Sequence, residues 1–388
     1  MTSRGPLAQD FTVVFHNTKE DFFIDGCGLV RLRPEEWLAV VPVTPRVSCF
    51  DPERLSEERA LNSRVHIVRS LDGGSTWDVV ASLPYYTATP WVHDGAVYLF
   101  ANKGGRRYRN DDLLLLRSGD DGASWSDPST LFRGHYWNCH TSMVQSEGRI
   151  YWATDDLSLG ENERGPCVIV GDLSIDPMDP AAWRKSNSVP YQGVPDQLIN
   201  PAFADQPSRY LEPNVLNVAG RLRVVATVKP KRQSTTGLCA VLDVQDDGRD
   251  IDLEFTQYHP MPGGQLKFDI VWDEVSRLFW ATLNLAADGQ DAMGWMGEGG
   301  GRFLGGNDRR FLMLYYGIDG LNWFPAGCVA RASGLSQSFM YPKHVLDGED
   351  LVVISRTSIE APNRHDADYA TFHRVRNFRD LAIDLHPG

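Results

Sequence analysis

The chain has no run of about 18 apolar residues, the length a helix needs to cross a bilayer. Its first residues, Met1-Thr2-Ser3-Arg4-Gly5-Pro6, lack the apolar segment of a signal peptide. As written, the sequence is expected to be cytoplasmic, or secreted if a leader has been removed. It also lacks clusters of positive charge. The formal net charge is −13, and the one basic run, Arg106-Arg107-Tyr108-Arg109, is followed at once by Asp111-Asp112 and reads as a solvated loop. Nucleic acid and anionic membranes are therefore excluded as partners, while a small basic pocket for a small anion is not. There is no HExxH, no paired CxxC, no P-loop and no dinucleotide GxGxxG, so no metal and no cofactor is implied. The glycine-rich 297–306 stretch does not open an apolar helix pattern and is a poor phosphate cradle. Cysteine is sparse: Cys27, Cys49, Cys139, Cys167, Cys239 and Cys328 have no metal-ligand spacing and read as buried free thiols, not a disulfide framework.

What is present is turn-forming and strand-forming. The 388 residues include 35 Gly and 23 Pro, with 42% hydrophobic content, enough for a substantial core built from many short strands. A hairpin pattern recurs six times: Gly28–Arg31 into Trp37–Val41, Thr89–Val92 into Ala96–Phe100, Thr141–Val144 into Arg149–Ala153, Glu212–Leu216 into Arg221–Val225, Asp269–Trp272 into Arg277–Ala281, and Tyr341–Val345 into Leu351–Ile354. Each is followed by a third apolar strand, as at Val65–Val68 and Leu113–Leu116. Six such units predict an all-β, six-bladed β-propeller of four-stranded antiparallel blades, in which each blade covers its neighbour's apolar face. The last unit runs out of chain, so Phe11–Phe15 is expected to supply its outer strand and close the ring. No linker divides the sequence, and residues 1–388 are read as one domain. The long insertions at 45–63, 190–210 and 286–307 are expected to form a rim over a central pocket.

Two of the third strands lead into the same signature, Ser70-Leu71-Asp72-Gly73-Gly74-Ser75-Thr76-Trp77 and Ser118-Gly119-Asp120-Asp121-Gly122-Ala123-Ser124-Trp125. Ser and Asp offer acceptors to turn amides, Gly permits positive φ, and Trp lids the turn. A third stretch, Tyr316–Trp323, keeps the Gly and Trp without the Ser. This is the Asp-box, and with the six repeats the chain resembles the sialidase superfamily over most of its length. In that superfamily the boxes are structural, and substrates bind where the innermost strands begin.

The resemblance implies an exo-acting glycoside hydrolase on a terminal, acidic sugar, with an oligosaccharide or glycan as substrate. Glu212, opening the fourth repeat as Glu-Pro-x-Val, resembles the family's glutamate, and Tyr341, opening the sixth, its nucleophilic tyrosine. A phenol needs a carboxylate base before it can attack an anomeric carbon. Asp51 is the positional candidate for the family's acid/base aspartate; as a residue before proline it equally reads as a turn cap. The family's carboxylate-binding arginine triad is incomplete: the first repeat reads Arg31-Leu32-Arg33-Pro34, out of register, the fourth reads Thr227-Val228-Lys229-Pro230, and the fifth offers Lys267. Arg31, Arg46, Lys229, Lys267 and Arg356 are the candidate anion contacts, with His365 at the rim and Trp137 as a surface for stacking on a sugar ring. Two other readings stand. In a polysaccharide lyase acting on uronates, His140 and Tyr341 would move protons beside a cationic neutraliser. The third reading is a glycan-binding propeller without turnover.

Overall fold

The computed structural model describes residues 5–46, 55–104, 111–160, 163–199, 208–230, 237–286, 295–296, 302–303, 308–334 and 336–386. Its strands form six antiparallel sheets arranged as the blades of a ring. Blade one has inner strand Gly28–Arg33, then Glu36–Pro45, Arg64–Ser70 and Asp78–Leu83. Blade two runs Thr87–His93, Ala96–Asn102, Leu113–Ser118 and Ser129–Phe132; blade four runs Arg209–Val218, Arg221–Lys229, Leu238–Asp246 and Ile251–Pro260. In blade five, Asp269–Asp273, Leu278–Leu285, Phe311–Gly317 and Phe324–Arg331 pair in order around an insertion that carries a small hairpin, Trp295–Met296 with Arg302–Phe303.

Blade six closes as the sequence predicts. Ser338–Asp347, Asp350–Ser358 and Tyr369–Val375 are completed by Phe11–His16, with Phe11 opposite His373 and His16 opposite Tyr369. Joining the two chain ends in one sheet removes the exposed edges that an open ring would leave.

Blade three departs from the expected hairpin. Its inner strand is broken into Tyr136–Trp137 and Val144–Ser146, both paired with the long strand Arg149–Gly160. Between them the Thr141 amide turns back onto the Cys139 carbonyl at 2.8 Å, which takes residues 138–143 out of the ladder. The insertion between the second and third strands of blade one also holds more order than a loop, with a helix at Leu55–Asn62. Residues 47–54 and 200–207 and most of 286–307 in the long insertions, the basic run at 106–109, Cys49 and Asp51 lie outside the described residues. The other five cysteines are free, four of them buried and Cys328 partly so. No helix among the described residues is long and apolar enough to cross a membrane.

The Ser-x-Asp-x-Gly-x-x-Trp turns show how the blades lock. Ser118 Oγ accepts from the Gly122 amide at 2.8 Å and donates to Asp120, whose carboxylate takes the Ser124 amide at 2.9 Å; Trp125 Nε1 closes on the Gly122 carbonyl at 3.0 Å. The turn at Ser70–Trp77 repeats these bonds. In the third stretch Tyr316 stands where Ser would and Ile318 where Asp would, and a Cβ on Gly317 would fall 2.1 Å from the Asn322 carbonyl oxygen. Asp319 still caps Leu321 and Asn322, but Trp323 Nε1 has no partner among the described residues. The second glycine of each turn seats on the blade before it. At Gly122, φ is +89° and an added Cβ would lie 2.5 Å from Leu38 Cδ1 in blade one, while Gly74 meets Phe372 in blade six and Gly320 meets Leu216 in blade four. Gly122→Ala is expected to destabilise the protein by about 1–3 kcal/mol, through positive φ and overpacking together; a denaturant midpoint matching the wild type would refute this account.

The same turns set an acid-sensitivity. Hydrogen bonds from Thr76 and Ser124 hold the Asp72 and Asp120 carboxyls down at about 2, below the ordinary range. A depressed carboxylate contributes stability above its unfolded pKa and loses it as pH falls through the folded value. Asp72→Asn with Asp120→Asn is therefore expected to be less stable than wild type at pH 7, with the difference shrinking between about pH 4 and 2. Thermal melts at both ends of that window check it.

Candidate active site

At the mouth where the inner strands begin, every blade contributes to one pocket: Asp25 and Gly26 ahead of blade one, Thr87 from blade two, Trp137 to His140 from blade three, Glu212 from blade four, Lys267 ahead of blade five, and Tyr341 from blade six. Five of the residues picked from the sequence, Tyr341, Glu212, His140, Lys267 and Trp137, are thus brought together.

Glu212 and Tyr341 share an unusual backbone. Both are left-handed, at φ +50° and +51°, both precede proline, and both sit where the strand register slips against its partner. Such β-bulges re-aim a side chain. Glu212 is buried and its Oε2 has no hydrogen-bond partner among the described residues. Burial first, and then the Glu212 charge, push the Tyr341 phenol above its ordinary pKa, while Arg309 and Arg356 act in the opposite direction. The two guanidinium carbons lie 4.8 and 5.0 Å from the Tyr341 ring centroid.

The two arginines differ in what else they hold. Arg356 is fully buried and donates to Asp25 at 2.8 Å and to the His365 carbonyl, so its charge is largely answered. Asp25 also accepts from the Gly26 amide and from Tyr86 Oη at 3.0 Å. Burial acts to raise the pKa of Asp25, but Arg356 leads a set of opposing influences that leave it below the ordinary value. Arg309 is buried with no carboxylate partner among the described residues: Nη1 contacts Met340 Sδ at 2.9 Å and Nε has no partner. Its neighbour Arg310 is held by Asp308 at 2.9 and 2.8 Å.

Lys267 is buried, with its pKa lowered to about 8 by desolvation against the pull of Asp269. His140 is driven down to about 3 by burial and then by Lys267, so it is neutral; its ring nitrogens lie 3.3 and 3.4 Å from the Thr87 and Thr89 hydroxyls. Trp137 is half-buried, with the Arg164 guanidinium 5.5 Å from its ring.

The remaining candidates fall elsewhere. Arg31 lies well along its strand, in the channel at the opposite mouth, and pairs with Asp347 at 3.1 Å. Arg46 is spent on the Phe22 carbonyl at 2.9 Å, and Lys229 ends the second strand of blade four opposite Arg209; neither lines the pocket. His365 stands behind Arg356, bonded to Asp366 at 3.0 Å, and does not line the pocket either. Asp51 is outside the described residues. Sequence reasoning missed Asp25 and Arg309. Asp25 lies three residues ahead of the first repeat's inner strand, a position that the repeat pattern does not mark. Arg309 sits at the start of a third strand, the same end of the blade, and the repeat pattern alone does not mark that position.

A pocket built by all six inner-strand starts defines the chain as a six-bladed propeller with the sialidase-type fold. No family model and no curated sequence matches it. Among solved structures it is similar to the Penicillium chrysogenum α-L-arabinanase complexed with arabinobiose, at 14% identity and TM-score 0.56, covering 96% of this chain and 99% of that one. It is also similar to the Fusarium graminearum GH93 α-L-arabinofuranosidase, complexed with arabinobiose, at 10% identity and TM-score 0.57, covering 95% and 98%. The Trypanosoma rangeli sialidase in complex with sialic acid matches at 15% identity and TM-score 0.56, covering 92% of this chain, which spans only 55% of that sialidase.

Proposed function

We propose that the protein is an exo-acting glycoside hydrolase that removes a terminal, acidic sugar. The observation that carries this reading is the convergence of Glu212 and Tyr341 in one pocket on matching left-handed bulges. In the proposed reaction Glu212 takes the phenol proton as Tyr341 Oη bonds to the anomeric carbon, and the bond to the leaving oxygen breaks. That oxygen receives a proton, a role assigned to Asp51. Water, deprotonated by the same aspartate, then displaces the tyrosine from the sugar, and the phenolate recovers its proton from Glu212. Arg309 supplies the positive charge for an anionic group on the sugar, since a buried guanidinium with no carboxylate partner among the described residues is costly until something pairs with it. The named ligands of the similar structures, arabinobiose and sialic acid, agree with a glycan substrate.

The lyase reading asks His140 to exchange protons with substrate, and both of its ring nitrogens already face threonine hydroxyls. The deciding experiment is incubation with a panel of acidic and neutral oligosaccharides, with products read by mass spectrometry. A terminal sugar released with the mass of water added is the expected result. An unsaturated product formed without water would move the assignment to a lyase, and binding without any product would favour a non-catalytic role.

A further inference from the structure

The two bulges that present Glu212 and Tyr341 pose a mechanical problem. A non-glycine residue at positive φ is strained and persists only where its surroundings over-determine it. A residue before proline also prefers extended backbone. Proline has no N–H, so neither Pro213 nor Pro342 can help hold its turn through the strand ladder, and the register slips at both places.

In each case a buried charged side chain from the preceding blade takes over. Asp155, on the second strand of blade three, accepts the Glu212 amide at 3.2 Å. Lys267, just ahead of blade five, donates through Nζ to the carbonyl of Pro342, the residue after Tyr341. Neither charge is free to wander. Asp155 is pinned by Arg164 Nη2 at 2.6 Å, with both side chains buried. Lys267 is buried beside Asp269, which Lys343 in turn holds at 3.2 Å.

We propose that Asp155 and Lys267 are positioning residues for the reacting pair, each latching one strained bulge from the blade before it. This inference rests on the reading of Glu212 and Tyr341 given above, and it adds that their placement depends on two side chains that need not touch substrate. The arrangement explains why a lysine and an aspartate are buried at the centre of the ring although neither is required for the chemistry itself.

The test uses the full chain with Lys267→Met, Lys267→Arg and Asp155→Ala, comparing kinetics with crystal structures. Methionine is of similar length and needs no partner, and Asp269 keeps Lys343, so Lys267→Met is the variant expected to fold in every case. It should release Tyr341 from positive φ while Glu212 keeps it, and lower kcat by about 10²-fold with little change in KM, as misplacement of a reacting group does. Lys267→Arg, which keeps the charge and the donor, should restore much of the loss. Asp155→Ala should release Glu212 and leave Tyr341. Wild-type turn geometry together with wild-type kcat in Lys267→Met overturns the proposal. If Tyr341 moves in Lys267→Met yet no glycan is turned over even by wild type, the positioning role stands and the hydrolase reading falls.

Discussion

Tyr341→Phe is expected to lower kcat by at least about 10³-fold, the scale seen when a nucleophile that works as a unit with its base is removed. The fold should be nearly untouched, with a stability change below about 1 kcal/mol, because the ring stays against Arg309 and Arg356 and only a hydroxyl is lost. Burial and Glu212 push the phenol above its usual pKa, so at neutral pH it is protonated and needs a base. Glu212→Gln should therefore cost about as much as Tyr341→Phe, and the double variant little more than either alone, since residues that share one step are not additive. Steady-state rates on a chromogenic glycoside identified from the panel provide the measurement. Turnover within about tenfold of wild type in Tyr341→Phe would take that residue out of the nucleophile's role.

The second large effect concerns Arg309. Arg309→Met is expected to reduce kcat/KM on an acidic terminal sugar by about 10²-fold, the worth of ~3 kcal/mol of charge-assisted hydrogen bonding. Its effect on a neutral analogue of the same sugar should be much smaller. That contrast separates recognition of the substrate from general damage to the pocket, because Arg309 packs against Tyr341 and a collapsed site would lose both substrates alike. Arg356 should behave differently. Its guanidinium is already paired with Asp25, so its loss is expected to strand a buried carboxylate and to appear first in stability.

The sequence was most informative where physics repeats itself. Strand, turn and strand recur along the chain, so the propeller, its blade order and its closure by Phe11–His16 were legible from alternating apolar residues and glycine turns. The Ser-x-Asp-x-Gly-x-x-Trp turns were equally readable, because their bonds lie within nine residues of one another. Repeat position also placed Glu212, Tyr341, His140 and Lys267 at one mouth of the ring.

Charge partners were not legible. Arg31 and Arg356 look alike in sequence, yet one closes an ion pair with Asp347 at the far mouth and the other is buried against Asp25 and the Tyr341 ring. Arg309 and Arg310 are adjacent, and only the folded chain decides that Asp308 takes the second and leaves the first against the Tyr341 ring. Local spacing alone determined the blades, the turns and which end of each strand meets the centre. Tertiary structure decided which charges are cancelled and which remain, because partners such as Asp25 and Arg356 are 331 residues apart in sequence and meet only when the ring closes.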